Sequence, residues 1–171
     1  GKYSNVKGLG ICKSCSPGSF SKNRGSSECI ICPNGYISNI NVDNCINCAA
    51  GKYSVGIKNI DHIYCTDCDK GKYSETITGN SPTVCLSCPE GKWSNIRGLN
   101  ITEGCVSCKP GYYSDIVGAI NIYTCNKCDN GKYRAKNMLM CLDCPVGSIS
   151  NEIMNQCQLC IPGKYSTNGI F

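Results

Sequence analysis

The sequence predicts a small disulfide-rich fold of irregular and β character: an elongated linear array of short disulfide-closed β-hairpin repeats with no large core. Three observations carry that prediction. All 18 cysteines fall in nine Cys-x-x-Cys pairs, at 12/15, 29/32, 45/48, 65/68, 85/88, 105/108, 125/128, 141/144 and 157/160. Three residues after each second cysteine comes a glycine (Gly18, Gly35, Gly51, Gly71, Gly91, Gly111, Gly131, Gly147, Gly163). Two residues further stands a bulky apolar side chain (Phe20, Ile37, Tyr53, Tyr73, Trp93, Tyr113, Tyr133, Ile149, Tyr165), followed by serine except at Arg134.

Periods of this size make each unit one small supersecondary element rather than part of a 171-residue globule. The chain has two Phe, one Trp and three Met, so a large shared core cannot form, and ten tyrosines carry most of the aromatic area. Ordering each residue costs roughly 1–2 kcal/mol of backbone entropy, which so few apolar side chains per repeat cannot offset. Covalent closure is therefore expected, and with it an oxidising compartment: extracellular or cell surface. The recurring aromatics, Phe20, Tyr53, Tyr73, Trp93, Tyr113, Tyr133 and Tyr165, are expected to pack on a nearby disulfide or the next repeat as a thin core.

The net charge of +5 is spread along the chain, without the run of like charges that nucleic-acid binding would want. Lys2, Lys52, Lys72 and Lys132 lie in repeated Gly-Lys-Tyr-Ser, joined by Lys92 and Lys164. They read as solvated lysines whose stems cover an aromatic ring, with a periodic basic stripe for a polyanion as the other reading. No apolar run is long enough to span a bilayer as a helix.

In chain order, residues 1–11 are a partial repeat, followed by full repeats at 12–28, 29–44, 45–64, 65–84, 85–104, 105–124, 125–140 and 141–156, and a partial repeat at 157–171. They form one continuous array, and both ends break inside a unit, as in a piece of a longer array. First cysteines are spaced by 17, 16, 20, 20, 20, 20, 16 and 16 residues. All the variation lies between the serine and the next cysteine, which marks a surface loop. Each Pro-x-Gly or x-x-Gly reads as a tight turn and each Gly-Lys-Tyr-Ser as a short strand. Residues such as Ile63-Tyr64 or Ile122-Tyr123 are expected to supply the returning strand.

The cysteines admit other chemistry. Zinc ribbons pair Cys-x-x-Cys knuckles, but nine knuckles in uniform register leave one over. Redox catalysis wants the motif at a helix start, whereas a glycine turn follows here, and iron–sulfur ligation wants clustered cysteines. His62, beside Asp61, is the single histidine and has no evident partner; Asp67, Asp69, Asp129 and Asp143 read as turn residues. No catalytic residue, metal ligand or cofactor is expected, and no enzyme activity. Asn100-Ile101-Thr102 is an N-glycosylation sequon in a variable loop. The serines after the aromatic (Ser4, Ser21, Ser38, Ser54, Ser74, Ser94, Ser114, Ser150, Ser166) are O-glycan candidates, although a hydroxyl satisfying turn backbone is the preferred reading.

A disulfide ladder is predicted in which the second cysteine of each pair bonds the first of the next: Cys15–Cys29, Cys32–Cys45, Cys48–Cys65, Cys68–Cys85, Cys88–Cys105, Cys108–Cys125, Cys128–Cys141 and Cys144–Cys157. Each bond closes a loop worth about 3 kcal/mol. Residues three apart in an extended segment face opposite sides, so one sulfur turns back and the other forward. Pairing whole motifs, as in Cys12–Cys29 with Cys15–Cys32, would strand a complete motif; the ladder leaves only Cys12 and Cys160 unpaired.

The pattern Cys108-Lys109-Pro110-Gly111-Tyr112-Tyr113…Cys125 resembles the ephrin-receptor-like cysteine-rich repeat, and is similar to the simplest single-disulfide module of tumour-necrosis-factor receptors. The resemblance implies EGF-sized extracellular repeats stacked into rods. The crossed-disulfide modules that help form the cytokine-binding face have no counterpart, so no ligand-binding residue is carried over.

The sequence thus reads first as a structural extracellular protein, a rod-like segment of a filament, appendage or surface coat whose partners are copies of itself or neighbouring repeats. The alternative is the ligand-binding ectodomain of a cell-surface receptor or adhesin. A zinc-binding intracellular array is a third reading.

Overall fold

A computed structural model describes residues 1–8, 10–56, 64–136 and 138–167. Among these the secondary structure consists of two- and three-residue strands in nine two-stranded sheets, plus three short 3-10 turns. Each hairpin starts at the glycine. The carbonyl of Ala49 accepts from the N–H of Lys52 at 3.2 Å, closing a four-residue turn with Gly51 third at φ +81°. That is the left-handed region a type II turn demands at this place, where a Cβ costs energy. The chain leaves the turn extended, as Lys52–Tyr53, and pairs antiparallel with Thr66–Asp67 in the register Lys52↔Asp67, Tyr53↔Thr66.

The returning strand therefore lies inside the Cys-x-x-Cys motif, not just before it. The two residues between the cysteines pair in the same way at Val106–Ser107, Asn126–Lys127 and Leu142–Asp143. This corrects the placement of that strand at Ile122-Tyr123. Ile122–Thr124 is instead a 3-10 turn, capped by the Asn121 side chain accepting from the Tyr123 N–H at 3.0 Å. The turn swings the chain round so that Cys125 meets Cys108. Tyr64 lies in a bend and is exposed, and Ile63 lies outside the described residues.

Disulfides join Cys15–Cys29, Cys32–Cys45, Cys48–Cys65, Cys68–Cys85, Cys88–Cys105, Cys108–Cys125, Cys128–Cys141 and Cys144–Cys157. Each runs from one repeat to the next, so the bonds are serial. Cys12 and Cys160 are free.

The buried material is thin and is not what the aromatic pattern suggests. The second cysteine of each Cys-x-x-Cys motif from Cys15 to Cys144 is buried, Cys48, Cys68 and Cys88 completely, and so are Ser21, Ser54, Ser74, Ser94, Ser114 and Ser166. The aromatics expected to form the core are only half-buried at Phe20, Tyr53, Tyr73, Trp93, Tyr113 and Tyr133. Tyr165 is 81% exposed. A two-residue strand has one partner and no second layer, so a ring can cover a disulfide from one side only. The interior belongs to sulfur and small polar groups.

The chain divides into two compact units, Gly1–Leu86 with Ile96–Gly104, and Ser87–Asn95 with Cys105–Phe171. The first holds the disulfides from Cys15–Cys29 to Cys68–Cys85, the second those from Cys88–Cys105 onward.

Candidate functional site

The feature that recurs is the joint between repeats, built from the cysteine, the glycine and the serine. In the first unit, the Gly51 N–H donates to the Ser74 carbonyl at 2.7 Å, and the Gly51 carbonyl accepts from the Cys68 N–H at 2.8 Å. One peptide group on each side of the glycine is thus spent on the following repeat. The Ser54 N–H donates to the Gly79 carbonyl at 2.9 Å, and the Thr78 N–H donates to the Cys48 carbonyl at 2.9 Å. The loop of the next repeat consequently lies along the strand of this one, with Tyr53 and Gly79 in a parallel bridge.

Within the second unit the same bonds recur. Gly91 N–H reaches Ser114 O at 2.8 Å, Ser94 N–H reaches Ala119 O at 3.0 Å and Gly118 N–H reaches Cys88 O at 2.8 Å. Trp93 bridges Ala119 in parallel. Buried backbone groups must find partners. In chains this poor in sheet, the inter-repeat bonds supply them.

This arrangement explains the serine. A side chain enclosed by two loops must be small, and at most of these joints its hydroxyl is satisfied locally, whereas Ser21 Oγ is buried without a hydrogen-bond partner. The Ser54 hydroxyl donates to Tyr36 O at 3.2 Å, the Ser166 hydroxyl donates to Ser148 O at 2.6 Å, and the Ser74 and Ser114 hydroxyls each accept a backbone N–H two residues on at 3.3 Å. The turn-satisfying reading fits the geometry of these four serines, while Ser4, Ser38 and Ser150 are only half-buried. Asn100, by contrast, is exposed, next to the buried Leu99.

Two aspartates read as turn residues lie instead in returning strands, opposite lysines. Lys52 Nζ sits 2.6 Å from Asp67 and Lys132 Nζ sits 3.2 Å from Asp143, each a directly opposed cross-strand pair. A returning strand placed before the first cysteine of the motif hides this register, because the strand lies between the two cysteines. Asp69 and Asp129 do close turns, through carbonyls that accept from Lys72 and Lys132, and Asp69 also pairs with Arg97 at 3.4 Å. His62 and Asp61 lie outside the described residues. Among those described, no group of three His, Cys, Asp or Glu is placed to hold a metal ion, and no helix is long and apolar enough to cross a membrane.

Arg134, which replaces the serine once, is 4% exposed, and its Nη1 donates to the carbonyls of Cys108 at 3.3 Å and Lys109 at 3.4 Å. Desolvation lowers the pKa of the guanidinium below its ordinary value, yet such a group remains charged in a protein. In the preceding long repeats the corresponding cysteine carbonyl is met by a loop N–H, from Thr78, Gly98 or Gly118. The loop after Arg134 is short, and the side chain reaches the carbonyl in its place.

Fold and joint together define a class: tandem single-disulfide hairpin repeats bonded serially and, within each unit, docked on one another through glycine and serine. Residues 1–38 match the family described as "Tyrosine-protein kinase ephrin type A/B receptor-like". The match covers residues 1–38 of the 171, and with the eight tandem disulfides it supports a likeness of these repeats to the ephrin-receptor-like type. Such repeats are typical of extracellular or cell-surface domains and suggest a receptor-type module. No curated protein matches the chain.

Proposed function

We propose that this chain is a structural segment of an extracellular filament, appendage or surface coat, and that its partners are neighbouring repeats or further copies of itself. The observation that supports this reading is the joint. The glycine N–H reaches the serine of the next repeat from long and short repeats alike, at its carbonyl from Gly35, Gly51 and Gly91 and at its hydroxyl from Gly18 and Gly131, so units add without a specialised interface. Each hairpin is also closed by a covalent bond to its neighbour, which suits a part that transmits tension. No catalytic role is proposed.

Electron microscopy of native material, labelled with an antibody raised against the 171-residue chain, tests this. Label along filaments or a coat is the expected result. Label confined to isolated stalks on a membrane, with purified material staying monomeric at high concentration, would favour the second reading.

That second reading is a ligand-binding ectodomain, and one observation supports it. In the second unit an open cavity of about 350 Å³ is lined by Lys109, Tyr112, Ile122 and Tyr123, with Tyr123 89% exposed. Tyrosine is enriched at recognition surfaces, and here Tyr112 and Tyr123 line one cavity.

A further inference from the structure

Arg134 carries a buried charge that its bonds to the Cys108 and Lys109 carbonyls leave incompletely compensated. Its Nε is buried and has no hydrogen-bond partner. The ion pairs among the described residues join Lys52 to Asp67, Arg97 to Asp69 and Lys132 to Asp143, and none reaches Arg134. An enclosed guanidinium without an anion is costly, because carbonyl dipoles replace only part of its hydration. Serine fills this place in every other repeat, so the fold as such does not require a cation here.

The same side chain borders a cavity of about 300 Å³ within the second unit, lined also by Glu90, Lys92, Lys136, Met138 and Leu139. Three cations and one carboxylate face that space. Lys92 comes from the strand Lys92–Trp93 and Lys136 from the turn just after Arg134. Cations held on separate elements around a buried, unpartnered N–H donor make an anion-binding arrangement. Met138, half-buried, supplies apolar wall, and Leu139, 63% exposed, stands at the solvent side of the cavity.

We propose that this cavity binds a tetrahedral oxyanion, a sulfate or phosphate group, held by the charge of the Arg134 guanidinium and by the Lys92 and Lys136 ammonium groups. Two negative charges balance three cations less Glu90. The group arrives either as the free ion, with both charges, or as an ester on an acidic polysaccharide, which keeps three terminal oxygens and, for sulfate, one charge.

The test uses the intact oxidised chain labelled with nitrogen-15, following the Arg134 Nε–H resonance. Sodium sulfate is titrated against sodium chloride at equal ionic strength, and a sulfated disaccharide is titrated in parallel. A saturable shift with sulfate but not chloride is expected. K136Q alters an exposed residue and leaves the disulfides alone; it should weaken binding roughly tenfold, one charge-assisted hydrogen bond's worth. K164Q, at an exposed lysine outside the cavity lining, should change nothing. Saturable binding of the disaccharide tighter than of sulfate would identify the ester as the source, and the reverse order the free ion. Shifts that rise linearly and alike in sulfate and chloride, or that ignore K136Q, would overturn the site.

Discussion

Long and short repeats solve one problem in two ways. In the long repeats a residue of the variable loop turns into the left-handed region, at Thr78, Gly98 and Gly118, and its N–H caps a cysteine carbonyl two pairs back along the chain. A short 3-10 turn then leads to the closing cysteine, at Pro82–Val84, Thr102–Gly104 and Ile122–Thr124. In the short repeats 29–44 and 141–156 the left-handed residue is Val42 or Met154, and its own carbonyl accepts from Ser21 or Arg134 of the preceding repeat. No 3-10 turn follows. Instead an asparagine bridges its own loop: Asn39 Nδ2 donates to Asp43 and Asn151 Nδ2 donates to Asn155, both at 2.7 Å.

Both designs deliver one loop carbonyl to the N–H that follows the aromatic. Four added residues are therefore tolerated, because they alter how the loop reaches that carbonyl and not whether it does. Where the change from long to short falls, at Arg134, a side chain makes the carbonyl contact that a loop N–H makes elsewhere.

The largest expected effect separates enclosed glycines from open ones. A Cβ on Gly51 would stand 2.2 Å from the Gly98 carbonyl oxygen, and one on Gly111 2.0 Å from that of Ile153, whereas Gly147 has nothing within 4 Å. All three have positive φ. Gly51→Ala should cost about 3–5 kcal/mol, combining overpacking with left-handed strain, and Gly147→Ala only about 1 kcal/mol. Amide hydrogen exchange of the flanking repeats measures both. Equal costs would mean that the turn, and not the joint, is what requires glycine.

Removing one disulfide comes next. Replacing both members of Cys68–Cys85 by alanine should cost about 3 kcal/mol, and the same change at Cys32–Cys45 almost as much, since their separations of 17 and 13 differ by only about 0.2 kcal/mol in closure entropy. Denaturant titration of the two variants would show a wider gap only if one loop design packs better than the other.

Trp93→Ala should cost about 2 kcal/mol, less than for a core tryptophan, because the ring is half-buried; limited proteolysis around residues 88–105 reads the loss. Asn151→Ala removes the Asn155 bridge and the acceptor for the Asn155 N–H, so about 1 kcal/mol should go from the short loop alone.

The smallest effect has the opposite sign. Thr78 holds φ +62° where the next two long loops have glycine at Gly98 and Gly118. Thr78→Gly should stabilise by about 0.5 kcal/mol, the left-handed strain relieved less the entropy of glycine. A loss on substitution would show that the Thr78 side chain contributes more than its strained backbone costs.

By itself the sequence determined the repeat, the hairpin as its unit, the serial character of the disulfides and the lack of a large core. These are local properties. A glycine at fixed distance from a cysteine sets a turn, and the turn sets a strand, with nothing distant required. Legible too was the oddity of Arg134, as the one break in a run of serines.

Only the tertiary structure decided which atoms form the interior. Size and hydrophobicity pointed to the rings, yet Ser74 is fully buried and Tyr165 is not. Burial depends on which loop folds over which strand, and the loops are the segments whose sequences vary. The cross-strand pairing of Lys52 with Asp67 was hidden for a related reason: one misplaced strand moves every partner in the register. The cavity beside Arg134 gathers residues 90 to 139 around one charge, a convergence that no spacing along the chain displays, because it exists only once each repeat has docked on the next.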